Sequence, residues 1–164
     1  MKKVFLLTAI SLVFCAASHA QIRLGALFGY GSEVEQPGLG VNAEFMLNDK
    51  MAISPNLLFY FPEKFTGGKY SYWELNGNFN YYFFDKDAIA VYGLAGLNVT
   101  TIKVKYDNNS FFASASDSEF GLNIGGGVNF NAGGIIPFSE VKYTLSDFDQ
   151  LVLILGIKFP LGGK

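Results

Sequence analysis

The sequence predicts an all-β fold, a single closed barrel of eight antiparallel strands, and three observations predict it. Apolar and polar residues alternate with period two, the spacing at which a strand presents one greasy and one polar face. The pattern returns roughly eight times, in segments of about ten residues separated by turn signals, which is how an up-and-down barrel reads. After residue 20 no apolar run reaches the roughly 20 residues that a membrane-crossing helix needs, so any membrane span must be built of strands. The cleanest segment runs from Trp73 to Phe83. Trp73, Leu75, Phe79, Tyr81 and Phe83 lie on one parity, Glu74, Asn76, Asn78, Asn80 and Tyr82 on the other, and only Gly77 dilutes the apolar set.

Residues 1–20 read as a secretory signal. Lys2 and Lys3 form a basic start, Val4 to Ala17 is apolar, and Ser18-His19-Ala20 sets small residues at the cleavage-reading positions before Gln21. Cleavage after Ala20 leaves residues 21–164 as one barrel domain. The single histidine, His19, and the single cysteine, Cys15, leave with the signal. The mature chain then offers no disulfide, no thiol nucleophile and no His or Cys metal ligand, and no cofactor is expected. Losing Lys2 and Lys3 makes it more acidic than the formal net charge of −2 for the whole sequence. Without a basic patch, nucleic acid is not an expected partner.

The first strand, about Gln21 to Tyr30, sets Ile22, Leu24, Ala26, Phe28 and Tyr30 against Arg23, Gly25, Leu27 and Gly29. After a polar connection the second, about Gly38 to Leu47, sets Leu39, Val41, Ala43, Phe45 and Leu47 against Gly40, Asn42, Glu44 and Met46. Asn48-Asp49-Lys50 is a tight turn by composition. In the third strand, about Met51 to Phe61, Pro55 cannot donate a ladder hydrogen bond, so a bulge or irregular pairing is expected there. Pro62 to Lys69 is a longer connection, the Trp73 segment is the fourth strand, and Asp85-Lys86-Asp87 turns the chain back.

The fifth strand, about Ala88 to Thr101, carries Lys103 and Lys105 on its apolar parity just beyond its end. A cation facing lipid costs about 2–4 kcal/mol at the midplane and little at the interface, so the strand has left the hydrocarbon by Lys103. Lys103 to Ser118 is the longest connection expected. The sixth strand, about Glu119 to Asn131, sets Phe120, Leu122, Ile124, Val128 and Phe130 against Gly121, Asn123, Gly125, Gly127 and Asn129, and Ala132-Gly133-Gly134 turns. In the seventh, about Ile135 to Leu145, Ile136 and Phe138 share the parity of Glu140 and Lys142, and a bulge near Pro137 would reconcile its two halves. The eighth, Leu151 to Leu161, sets Leu151, Leu153, Leu155, Ile157 and Phe159 against Gly156 and Lys158.

Alternation alone fits a soluble lipocalin-like carrier as well as a membrane barrel. Three features favour lipid outside. The polar parity is Gly, Asn and Ser, whereas a water-facing surface carries about 25–35% charged residues. Small residues on that parity suit the narrow interior of eight strands, and aromatics gather near strand ends, where interfacial girdles sit. Even-numbered connections are tight and odd ones mostly longer, the asymmetry between periplasmic turns and external loops, with both termini periplasmic. The expected fold is thus an eight-stranded antiparallel up-and-down transmembrane β-barrel.

The segments Phe120-Gly121-Leu122-Asn123-Ile124-Gly125-Gly126-Gly127-Val128-Asn129-Phe130, Phe138-Ser139-Glu140-Val141-Lys142-Tyr143 and Leu155-Gly156-Ile157-Lys158-Phe159-Pro160-Leu161 resemble the small outer-membrane barrels of the OmpX and OmpA type. One departure is that Phe159 is followed by Pro160, Leu161 and a short tail, where many such barrels end on an aromatic. The resemblance implies an outer-membrane address, a structural role in the envelope, and contact with outer-membrane lipid, lipopolysaccharide and the barrel-assembly machinery.

Six inward charges, Arg23, Glu44, Glu74, Glu140, Lys142 and Lys158, balance three against three. Enclosed charges must pair, so a lumen network that plugs the barrel is expected, centred on Glu44, Glu74, Glu140 and Lys142, with Arg23 and Lys158 nearer the mouths. Catalysis is not expected: outer-membrane hydrolases and acyltransferases lean on a histidine, and none remains. Asp107-Asn108-Asn109 and Asp147-Phe148-Asp149 lack the spacing of a calcium loop. A second reading is a surface adhesin or binding module that engages an extracellular ligand through Lys64, Phe65, Phe111 and Phe112 in the external loops.

Overall fold

A computed structural model describes residues 21–66, 68–86, 88–106 and 114–161; the signal segment, Phe111 and Phe112 lie outside them. The described chain is all strand and turn: β1 (Ile22–Gly31), β2 (Gln36–Asn48), β3 (Met51–Tyr60), β4 (Glu63–Phe65), β5 (Gly68–Lys86), β6 (Ile89–Tyr106), β7 (Ser114–Phe130), β8 (Ile136–Leu145) and β9 (Gln150–Leu161). Each strand pairs antiparallel with its neighbours, β9 returns to β1, and β3 pairs with β5 to close the ring. Eight strands make the barrel, while the three-residue β4 sits on the free edge of β5 beyond the rim. Closure leaves no unpaired edge within the wall, which a strand in lipid requires.

Parity sorts the side chains as the alternation demands. Along β5, Leu75, Phe79, Tyr81 and Phe83 face outward and are exposed, while Glu74, Asn76, Asn78, Asn80 and Tyr82 are buried. An exposed apolar belt runs round the wall through Leu24, Phe28, Leu39, Val41, Leu97, Leu122, Ile124, Leu153 and Leu155. On a soluble protein a patch this extensive would drive aggregation; facing acyl chains it is the stable arrangement.

Several local expectations need correction. β8 runs in unbroken register from Ile136 to Thr144 against β9, so there is no bulge at Pro137. Ile136 and Phe138 instead point inward and are buried; the interior tolerates apolar residues where Phe138 lies over Gly156, its cross-strand partner. At Pro55 the pairing is irregular as expected, in the form of a gap: the β2–β3 ladder is interrupted there and its partners resume in the same register on either side. Register shifts fall between Met46 and Asn48 and between Tyr82 and Phe84, both at the end of the barrel that holds Ile22 and Leu161. The connections also hold more strand than expected. Residues 62–69 contain β4 and the start of β5, and β6 and β7 continue pairing to Lys105 and Ser114, leaving residues 107–113 between them. Ser, Thr and Lys alternating beyond the rim are compatible with a strand in water.

Candidate functional site in the barrel lumen

Two hydrogen-bonded networks fill the interior. The one nearer the end that holds Ile22 and Leu161 centres on Glu44 of β2, whose side chain has no exposed surface. Arg23 Nη1 donates to its Oε2 at 3.0 Å; Lys158 Nζ at 3.1 Å, the Tyr82 hydroxyl at 2.5 Å and Asn80 Nδ2 at 3.3 Å all donate to Oε1. Lys158 also donates to Asn129 Oδ1 at 3.2 Å, and its ammonium lies over the rings of Phe138 and Tyr92, 4.6 and 5.3 Å from their centroids. Cation–π attraction of this kind is strongest where water is excluded. Lys158 is 1% exposed, so it belongs to the enclosed set and not to the mouth. Arg23, 15% exposed, keeps some access to water.

The second network centres on Glu74 and Lys142, both without exposed surface. Lys142 Nζ donates to Glu74 Oε2 at 2.6 Å and to Asn76 Oδ1 at 2.9 Å. Tyr60 and Gln150 donate to Glu74 Oε1, Tyr60 at 2.7 Å. Asn76 is the hub. Its Oδ1 also accepts from Asn98 and Asn123 at 2.8 Å each, and its Nδ2 donates to Asn56 at 2.8 Å. Thr144 and Asn78 extend the set through Asn123. Side chains from β3, β5, β6, β7, β8 and β9 thus meet in one layer. Asparagine suits this place because one short side chain donates and accepts, so neighbours satisfy each other without adding charge.

Glu140 sits between the networks, and among the described residues no cation lies within ion-pair distance of it; the Tyr92 hydroxyl donates to it at 2.8 Å. Tyr92 reaches it by lying across Gly127, the residue between them in register, where a Cβ would meet the ring. Glycine is required at that crossing. Polarity is only part of the filling. Leu27, Val34, Leu58, Tyr60, Phe138, Val152 and Ile154 form one buried apolar cluster, and Ala52, Tyr82, Ala90, Tyr92 and Leu94 another. Val34 comes from the connection after β1, which folds inward through a left-handed Glu35 at φ 53°.

Sequence reasoning named all six charges but missed their phenolic partners Tyr60, Tyr82 and Tyr92, as well as Glu119, a half-buried carboxylate on the inward parity of β7. Each of them lies on the polar parity, the signal by which they could have been found. Of the proposed loop contacts, Lys64 is exposed, and Phe65 packs against Tyr70 with ring centroids 4.7 Å apart. Among the described residues no cluster of His, Cys, Asp and Glu could hold a metal ion.

A closed eight-stranded wall, apolar outside and polar within, defines an integral outer-membrane barrel. Residues 6–157 match the family model of the outer membrane protein beta-barrel domain, and the chain belongs to that family. Solved structures agree in fold. Neisserial surface protein A (NspA) superposes with a TM-score of 0.67 at 13% identity, covering 88% of this chain and 98% of that one. The N-terminal β-barrel domain of Pseudomonas aeruginosa OprF gives 0.65 at 15%, covering 86% and 97%. The Yersinia pestis attachment invasion locus protein Ail gives 0.59 at 17%, covering 87% and 97%, and has also been solved in complex with the heparin analogue sucrose octasulfate. A comparison with curated protein sequences found no match.

Proposed function

We propose that this barrel is a structural component of the envelope whose lumen is closed by its own side chains, with both termini periplasmic and no catalytic role. The observation that carries this reading is the pair of networks at Glu44 and Glu74. Both ion-paired carboxylates are fully buried, and the side chains around them reach across the interior from most strands of the ring. A solute path needs continuous water along the axis. Eight strands enclose an interior just wide enough for side chains to fill, and here the inward positions between the networks are taken by Leu27, Tyr92, Phe138 and Ile154.

Planar bilayer recording tests the closed lumen. Purified protein is expected to give no steady conductance, and currents of porin size would overturn the reading. A surface-binding role is the alternative, and Ail, crystallised with a heparin analogue, gives it some support. Within this chain, Phe65 is engaged by Tyr70, so Lys64 alone of the described candidates remains open to a partner.

A further inference from the structure

Beyond the rim, the sheet of β4, β5 and β6 sets lysines side by side. Lys64 is directly opposite Lys69, Lys69 is directly opposite Lys105, and Lys103 lies one row nearer the membrane, opposite Ser71. Residues directly opposite in an antiparallel pair share a face, about 4.5–5.5 Å apart at Cβ, and like charges there are destabilising. All four lysines are exposed, and among the described residues none has a carboxylate within ion-pair distance. The neighbouring acids, Glu63 and Asp117, fall on the opposite parity of their strands. At the other end, by contrast, Lys50 follows Asp49, and Lys86 stands between Asp85 and Asp87. A chain of net charge −2 has therefore gathered four unpaired cations on one face.

Their depth identifies what they meet. The β5–β6 ladder holds one register from Gly68 to Tyr82, so the lysines share the outward face of Leu75, Val99 and Trp73. At about 3.3 Å per residue, the Lys103 row stands roughly 7 Å, and the Lys69–Lys105 row roughly 13 Å, beyond the Trp73 row along the strand. That is headgroup depth directly above the apolar belt.

We propose that Lys64, Lys69, Lys103 and Lys105 form a binding site for the phosphorylated saccharide headgroup of an outer-leaflet glycolipid of the lipopolysaccharide class. The acyl chains would lie against Leu75, Leu97 and Phe120, which are 48%, 67% and 80% exposed. This rests on the orientation proposed above, in which the longer connections face outward.

Trp73, the only tryptophan, lies on the same face and reports on the site. Folded protein in neutral detergent is titrated with bis-phosphorylated lipid A while Trp73 fluorescence is followed. At about fivefold per lysine near an anionic surface, K64S/K69S/K103S/K105S is expected to weaken apparent affinity well over tenfold. K50S/K86S should bind as the parent does, and added salt should weaken parent binding. Equal affinity of the quadruple variant overturns the proposal. So does equal binding of dephosphorylated lipid A, or inorganic polyphosphate binding as tightly as lipid A, which would make this a site for soluble polyanions. Orientation is read separately, by labelling Lys64→Cys on intact cells with an impermeant maleimide. Labelling only after outer-membrane permeabilisation would refute the orientation, and the outer-leaflet assignment with it, whatever the titration gives.

Discussion

Replacing Lys142 by methionine should be the most informative perturbation of the lumen. It keeps the length of the side chain and removes the one cation bonded to Glu74, whose carboxylate has no exposed surface. Breaking a buried pair by removing one partner costs about 3–5 kcal/mol, because an uncompensated charge stays behind. Four neutral donors remain, from Tyr60, Asn76, Asn98 and Gln150. With each hydrogen bond contributing about 1 kcal/mol, they hold the cost of Lys142→Met near the low end, about 3 kcal/mol. Glu74→Gln removes the counter-charge of Lys142 and leaves it only neutral amide oxygens, that of Asn76 at 2.9 Å and that of the new Gln, so it should cost a similar amount. Glu74→Gln with Lys142→Met removes both charges together and should lie within about 1 kcal/mol of the parent. The three variants close a cycle whose coupling should exceed about 2 kcal/mol. Urea unfolding from lipid vesicles, followed by Trp73 fluorescence, measures it. A cost below about 1 kcal/mol for Lys142→Met would refute the reasoning, because it would mean that Glu74 reaches water.

Other consequences follow from the same packing. Asn76→Ala deprives Lys142, Asn98, Asn123 and Asn56 of a shared partner and should cost about 3 kcal/mol in the same assay, as buried groups lose their bonds; a neutral result would remove Asn76 as the hub. Gly127→Ala should lower stability by about 1–3 kcal/mol through collision with the Tyr92 ring, whereas Gly77→Ala, with nothing within 4 Å of the new methyl, should stay within about 0.5 kcal/mol. Ile124→Arg, 59% exposed at the centre of the Phe120–Phe130 face, should cost about 2–4 kcal/mol against about 0–1 for Leu161→Arg at the strand end; equal costs would argue against a lipid-facing wall.

The fold was legible because a barrel writes itself into local alternation. Trp73 to Phe83 reveals its two faces without any knowledge of its neighbours, and turn signals such as Gly133 and Gly134, both at positive φ, mark the ends. What was not legible depends on pairs of residues far apart in the chain. Nothing near Gly156 announces that Phe138 will cover it, so an inward phenylalanine looked like an error of phase and suggested a bulge. Nothing near Lys158 announces that it stands beside Glu44, 114 positions away. Charge balance could be counted from the sequence, but which charges meet is a property of register. The strands beyond the rim were missed for a different reason: Lys, Ser and Thr read as loop when hydrophobicity is the only guide.

These long-range pairings explain how so small a barrel can hold the ion-paired charges of Arg23, Glu44, Glu74, Lys142 and Lys158. Inward glycines at 127 and 156 receive Tyr92 and Phe138 from the adjacent strand, and Gly29 receives Leu58 from two strands away, so large side chains lie flat along the wall and fill the width. Each filled level removes water from its neighbours, which raises the cost of an unpaired charge. That cost in turn requires Glu44 and Glu74 to meet Lys158 and Lys142. The two networks sit at different heights, so loosening one leaves the other in place. Opening a continuous path would require disrupting both, along with the apolar clusters that contain Ile154 and Tyr92. On the closed-barrel reading, chemistry that meets other molecules is therefore confined to the outer wall and the extended rim, where the unpaired lysines stand.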